Sequence, residues 1–295
     1  MNNNAMLPKD FYKKVDNVQY LKNVLYSDTD SVEIMIPYDK NKSLEDKWNK
    51  SLEISNKIND ATINYLKNII FPLANIDSTK NQTYFKTEAL MESIGFLPDV
   101  KKYYTYKLLV NEGKFLDEPK VKYKNISIKS NLSKMSTKLL KDMIENVILN
   151  MEIPDNERIN HLISVIDKWF NIYKTHIQEH NFEDIGIPNK WSKSQQIINA
   201  MRAYNLIMEK EIFTPGSAGK YVYCVFKNQS LFMNDPEINL KTLNTLAVPY
   251  VYDKELLSKK MKEYNIEVNS TEHWEKCIFT TTCHKLLQMI KNTNT

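Results

Sequence analysis

The stretch Leu25-Tyr26-Ser27-Asp28-Thr29-Asp30-Ser31-Val32 places two aspartates one residue apart between two apolar segments. From Val32 onward, β-branched residues recur at every second position: Val32, Ile34 and Ile36. Because a period of two is typical of a half-buried strand, the pattern predicts a β-hairpin with Asp28 and Asp30 at its turn. Two carboxylates there can converge on a hard divalent cation such as Mg²⁺, which prefers oxygen ligands. The alternative is a turn in which Asp and Ser side chains bond their own backbone.

Residues 26–31 resemble motif C of the family B DNA polymerases, usually written Y-G-D-T-D-S, which lies between two strands of the palm. Lys101-Lys102-Tyr103-Tyr104 is similar to the K-K-R-Y segment of this family, whose K-x-Y core contacts the primer–template. Glu118-Pro119-Lys120-Val121-Lys122 resembles the E-P-x-x-K that follows it, particularly in the tailed bacteriophage branch. The resemblance covers about the first 130 residues and extends weakly to the C-terminus.

The resemblance implies a metal site at the hairpin. Asp30 would be the direct metal ligand, and Asp28 a neighbouring carboxylate that supports the site. Three residues would set the turn and the palm packing: Tyr26, Thr29 and Ser31. The implied cofactor is a pair of Mg²⁺ ions shared with a partner chain, with Mn²⁺ as an alternative.

A third carboxylate is a weaker candidate ligand. Residues 83–91 are expected to form a strand that carries Glu88, and the family often has a carboxylate on this strand near the metals. The alternative is a solvated glutamate on a sheet edge.

The resemblance also implies contacts with DNA. Lys102 and Tyr104 would hold the primer strand, and Lys101 would assist. A second group of lysines alternates with other residues, so that period two puts them on one face of a strand: Lys120, Lys122 and Lys124. Such a face suits duplex phosphates, although a solvated lysine face is the alternative. Asn125 stands where the family usually has glycine, which leaves the backbone geometry of this turn open.

Helical periodicity supplies the remaining elements. Ser43 with Asp46 predicts a capped helix start, and the helix is expected to end before Pro72. Its predicted apolar face is Trp48, Leu52, Ser55, Ile58, Thr62, Leu66 and Ile69. Three more apolar stripes predict helices within residues 139–151, 159–177 and 197–208. Residues 214–220 are expected to form a loop before a strand over residues 221–226.

The predicted fold class is α+β, in two domains. Residues 1–130 would form the C-terminal part of a polymerase palm, an antiparallel sheet portion with a packing helix. Residues 131–295 would form a mostly helical thumb.

Composition narrows the class of protein further. No apolar run approaches the length of a membrane span, and the N-terminus lacks a signal-peptide pattern. Three cysteines are too few for a disulfide framework, so a cytoplasmic location is expected, in the host cell if the protein is viral.

The net charge is +4, and only Arg158 and Arg202 are arginine. Lysine suits sequence-independent phosphate contact, although an AT-rich genome also accounts for many lysines.

Several polymerase motifs are missing from this sequence. It contains neither the palm motif D-x-x-S-L-Y-P, nor the fingers motif K-x-x-x-N-S-x-Y-G, nor exonuclease motifs. The chain is therefore expected to be one subunit of a split DNA polymerase, whose partner chains carry the exonuclease, motif A and the fingers. Primer–template DNA, a deoxynucleoside triphosphate and a sliding clamp are further expected partners. A non-catalytic DNA-binding or assembly subunit is the main alternative, and a fragment of a longer enzyme is another.

Overall fold

The computed structural model of the protein describes residues 24–27, 32–36, 41–77, 79, 84–96, 102–126, 132–190 and 192–291. The architecture is mixed α and β, with antiparallel sheets and helices, which is compatible with the predicted α+β class. Within these ranges, no helix combines the length and the apolar character that crossing a bilayer requires.

The chain divides into two compact units by its internal contacts. The first unit comprises Met1–Glu92 and Lys107–Lys120, and the second comprises Ser93–Tyr106 and Val121–Thr295. The predicted boundary at residue 130 would separate a palm from a thumb, and that assignment stays a prediction.

The described strands form three sheets, and the described helices lie between and after them in the chain. The strands are β1 (Val24–Ser27), β2 (Val32–Ile34), β3 (Ala89–Phe96), β4 (Tyr104–Asn111), β5 (Lys114–Lys124), β6 (Ile187–Lys190), β7 (Ala218–Phe226), β8 (Thr245–Val248) and β9 (Ile266–Val268). The α-helices are α1 (Leu44–Tyr65), α2 (Phe71–Ala74), α3 (Lys134–Met143), α4 (Arg158–Gln178), α5 (Phe182–Ile185), α6 (Gln195–Ile207), α7 (Lys254–Glu263), α8 (Ser270–His273) and α9 (Thr280–Lys291). Widened π-helical turns follow α1, α3 and α8 at Leu66–Ile70, Ile144–Ile148 and Trp274–Phe279. The strand orders are β1-β2, β3-β4-β5 and β6-β7-β8, with β9 also paired to β7.

Helix α1 begins as the sequence predicts. The Ser43 hydroxyl accepts a hydrogen bond from the Asp46 backbone N–H at 3.0 Å and donates one to the Asp46 carboxylate at 2.8 Å. The buried residues of α1 are Trp48, Ser51 and Ile54. The predicted face is therefore right at Trp48 and wrong at Leu52, whose side chain is exposed. The buried stripe follows steps of three residues from Trp48, whereas the prediction took a first step of four.

The predicted end of this helix before Pro72 is wrong. Helical backbone continues through the π-turn Leu66–Ile70 into α2, and the Phe71 N–H bonds the Leu66 carbonyl five residues back. A proline cannot donate a backbone hydrogen bond, and in a regular α-helix its ring clashes with the carbonyl four residues earlier. A widened turn just before the proline, which then lies in the first turn of α2, accommodates both constraints.

The strand predicted over residues 83–91 begins only at Ala89. The Asn59 side chain of α1 instead engages Phe85, because it donates to the Phe85 carbonyl at 2.7 Å and accepts from the Phe85 N–H. These bonds satisfy backbone groups that a sheet partner would otherwise occupy. Residues 111–114 connect β4 to β5, and Glu112 and Gly113 both have positive φ, as in a type I′ hairpin turn.

The second unit contains the predicted helices. Helix α3 with its π-turn, α4 and α6 correspond to the three apolar stripes, although Met151 lies beyond the helical segment and is half exposed. The predicted strand over residues 221–226 is part of β7, which already begins at Ala218. The loop predicted over residues 214–220 is accordingly shorter. There, the Ser217 hydroxyl accepts from the Thr214 N–H at 2.9 Å and closes a turn.

The second unit surrounds one continuous core. Leu139, Tyr173, Phe182 and Tyr204 are among its largest fully buried side chains. All three cysteines of the chain are also buried here, and burial raises the pKa of the Cys224 and Cys277 thiols to about 12 and that of Cys283 to about 11. His273 is fully buried beside Tyr173, and its Nε2 lies 3.0 Å from the Ile185 carbonyl.

Candidate nucleic-acid interface

The hairpin that frames the two aspartates is formed as the sequence predicts. β1 pairs antiparallel with β2, with Tyr26 opposite Glu33 and Ser27 opposite Val32. Residues 28–31 connect these strands, so the four predicted site residues Asp28, Thr29, Asp30 and Ser31 fall between them and lie outside the described residues. Of the predicted turn residues, Tyr26 lies within β1.

Strand β5 exposes its lysines as the period-two pattern predicts. Lys120, Lys122 and Lys124 are exposed, whereas Val121 and Tyr123 between them are partly buried. Among the described residues, none of these three lysines forms an ion pair with a carboxylate. Glu118 lies two positions before Lys120 on the same strand face. The unneutralised positive charge is therefore concentrated toward Lys122 and Lys124.

Two side-chain hydrogen bonds fix this end of β5. The buried Thr105 hydroxyl of β4 donates to the Lys122 carbonyl at 2.9 Å. The Tyr123 hydroxyl donates to the Glu145 carboxylate at 2.7 Å, on the π-turn that follows α3. Burial and then this hydrogen bond raise the pKa of Tyr123 above its usual value, so the hydroxyl remains a donor at neutral pH. The side chains of Lys122 and Lys124 consequently project from a strand whose other side is held by these two hydrogen bonds.

Lys102 and Tyr104, predicted to hold the primer strand, have different surroundings. Lys102 is exposed and lies just before β4. Tyr104 is buried, with its ring centroid 5.5 Å from that of Phe96 and 5.9 Å from that of Tyr106. Its ring therefore packs within an aromatic row of the second unit. The third predicted residue of this segment, Lys101, lies outside the described residues.

Asn125 resolves the backbone geometry that the sequence left open. Its φ is +53°, in the left-handed region that glycine adopts freely and asparagine tolerates. Its side-chain amide donates to the Lys102 carbonyl at 2.9 Å, and Lys102 itself has φ +61°. One signal of this is visible in the sequence, because asparagine tolerates the left-handed region better than most residues do. The bond to Lys102 is not visible in the sequence, because 23 residues separate its partners.

Glu88 lies one residue before β3 and is exposed. Its carbonyl accepts a hydrogen bond from the Glu112 N–H at 2.5 Å. Within the part of the chain that the structure describes, no group of three or more His, Cys, Asp and Glu side chains is arranged to hold a metal.

Arg202 is tied to acidic side chains. Its guanidinium forms ion pairs with Asp235 at 3.1 Å and with Glu237. These carboxylates compete with any phosphate for the same guanidinium.

The scan against protein-family models and the search of curated proteins found no match to this chain.

Proposed function

We propose that this chain is a subunit of a split DNA-directed DNA polymerase of the family B type. It would supply the motif C carboxylates and the thumb for nucleotide addition to a primer 3′-hydroxyl, in the cytoplasm of the cell that houses it. The observation that carries the proposal is the hairpin of β1 and β2, which brackets Asp28 and Asp30 as the motif C resemblance requires. The exposed lysines of β5 support contact with DNA.

The chemistry of the donor set fits Mg²⁺, because a D-x-D turn offers only carboxylate and backbone oxygens. In this proposal Asp30 is the direct ligand, and Asp28 supports it with a second negative charge. When bound, Mg²⁺ ions lower the pKa of the attacking hydroxyl and neutralise charge on the leaving pyrophosphate. Glu88 is a further candidate ligand in this scheme.

The remaining parts of the site would come from the partner chains. They would provide the motif A aspartate, the fingers that close on the incoming nucleoside triphosphate, and the exonuclease. This chain would contribute lysines that neutralise duplex phosphates without reading base sequence, since lysine acts as a point charge. A sliding clamp is a further proposed partner.

Primer extension by the complex of this chain with its co-purifying partner tests the catalytic role. We expect Asp30→Ala to lower the extension rate by about a thousandfold or more, because the charge stabilisation supplied by the metal is worth several kcal/mol. Asp167→Asn, an exposed aspartate of α4, is the control and should leave the rate unchanged. Full extension activity in the Asp30 variant would refute the catalytic proposal.

The second candidate is a non-catalytic DNA-binding or assembly subunit, which the exposed lysines of β5 favour equally. In that case Asp30→Ala would leave extension by the complex intact, whereas loss of the lysines would still weaken DNA binding.

Fluorescence anisotropy with a labelled primer–template measures the DNA contact itself. Replacing Lys122 and Lys124 together by alanine should weaken duplex binding by the full chain. It should also lower the slope of log affinity against log salt by about 2, since each phosphate contact contributes about 0.9. Lys190→Ala, at the exposed end of β6, should leave the slope unchanged. An unaltered slope in the double variant would remove β5 from the interface.

A further inference from the structure

Two non-glycine residues in the left-handed conformation are joined by one side chain at the end of β5. Lys102 precedes β4 with φ +61°, Asn125 follows β5 with φ +53°, and the Asn125 amide donates to the Lys102 carbonyl at 2.9 Å. The hydrogen bond places the Lys102 backbone beside the end of β5, where Lys124 is the neighbouring residue in the chain.

The left-handed conformation of Lys102 requires a stabilising contact. An L-residue with a long side chain is disfavoured there, because its Cβ approaches the following carbonyl oxygen. Asparagine is tolerated better, since its short amide can bond locally. Such conformations persist where the surroundings over-determine them, and they cluster at functional sites. A glycine at position 102 would remove the strain, but it would also remove an exposed ammonium group.

Neighbouring contacts make this corner a rigid support. Thr105 holds the Lys122 carbonyl, and Tyr123 holds Glu145 on the π-turn after α3. The ends of β4 and β5 are thus fixed on their buried side, and the Asn125 side chain adds a bond to the backbone of Lys102.

We propose that Asn125 is a positioning residue that holds Lys102 in the left-handed conformation, so that the Lys102 ammonium joins Lys122 and Lys124 on one phosphate-binding surface. The ligand class is the phosphate backbone of a nucleic-acid duplex. This inference rests on the proposed DNA contact of the chain. It adds a role for a residue that touches no phosphate itself.

The test is a double-mutant cycle measured by anisotropy with a labelled primer–template and the full-length chain. Asn125→Gly keeps the left-handed backbone accessible and removes the side-chain amide that bonds the Lys102 carbonyl. We expect it to weaken duplex binding about threefold to tenfold, similar to the loss of one phosphate contact at low salt. In a Lys102→Ala background the same substitution should have no further effect, because the residue it positions is gone.

The control cycle pairs Asn125→Gly with Lys190→Ala, and these two effects should simply add. Additive losses in the Lys102 cycle, or wild-type affinity in Asn125→Gly, would overturn the inference. Circular dichroism verifies that each variant is folded.

Failure of the proposed function is a separate outcome. If the wild-type chain bound no duplex, or if Lys122 and Lys124 together proved silent, the DNA contact itself would be refuted, whereas a silent Asn125 with active lysines would refute only the positioning role.

Discussion

The two compact units of this chain differ in how completely each buries its apolar side chains. The buried residues described in the first unit are few: Trp48, Ser51, Ile54, Phe71, Leu108 and Val110. The second unit has one continuous core that extends from Ile126 to Leu286. Large apolar side chains are exposed in both units, among them Leu73 and Tyr84 of the first and Met233 and Val251 of the second.

This difference indicates how each unit is stabilised. Burial of apolar surface stabilises the second unit, whereas capping and turn contacts make up a larger share of the stability of the first.

A core substitution in the second unit should have the largest effect on stability. Leu139 is fully buried, and Leu139→Ala should lower the free energy of unfolding by about 3 to 4 kcal/mol, because it removes apolar contacts and leaves a cavity. Leu52→Ala, on the exposed side of α1, is the matched control and should cost less than about 1 kcal/mol. Denaturant unfolding followed by circular dichroism gives both values. Equal costs would contradict the burial assigned to these two side chains.

Acid should destabilise the second unit through His273. Burial lowers the pKa of His273 to about 4, whereas the unfolded residue titrates near 6.5. The stability from keeping this ring neutral is fully present above about pH 6.5 and is lost as the pH falls toward 4. The slope is about 1.4 kcal/mol per pH unit from this residue.

The measurement is the slope of the unfolding free energy against pH, from pH 6.5 to 4.5, for the wild-type chain and for His273→Gln. The variant should show a shallower dependence on pH, even if it is less stable throughout. His161→Gln, at an exposed position of α4, should keep the wild-type slope. An unchanged slope in the His273 variant would contradict the assignment.

The smallest effect is expected at the helix cap of the first unit. Ser43→Ala removes the acceptor of the Asp46 N–H and should cost about 1 kcal/mol. Ser164→Ala, in the exposed middle of α4, should be neutral or slightly stabilising because alanine is the better helix former. Hydrogen exchange of amides in the first turn of α1 resolves the local change. Unaltered protection there would show that the cap contributes little.

Sequence patterns predicted what depends on periodicity or on local chemistry. The predicted elements of this kind are the hairpin of β1 and β2, the Ser43 cap and the helices α3, α4 and α6. Sequence patterns could not show features that depend on partners far away in the chain. Asn59 engages Phe85 in place of a longer strand, and Asn125 reaches Lys102, through contacts between residues far apart in the chain.

Short elements also escaped prediction. Strands β6, β8 and β9 have only three or four residues each, which is too few for alternation to emerge. The π-turn that accommodates Pro72 was also not predicted, because a proline usually marks a helix end. At the candidate site, exposure of the β5 lysines was predicted correctly. Burial of Tyr104 was not, because an aromatic strand residue can face either side.

The burial of all three thiols gives this chain a built-in kinetic probe. Cys224, Cys277 and Cys283 all belong to the second unit, and their raised pKa values keep them protonated and unreactive at neutral pH. A thiol reagent can therefore modify them only when that unit opens. The labelling rate of the unmodified chain consequently reports the opening of the second unit alone, with no engineered label and no signal from the first.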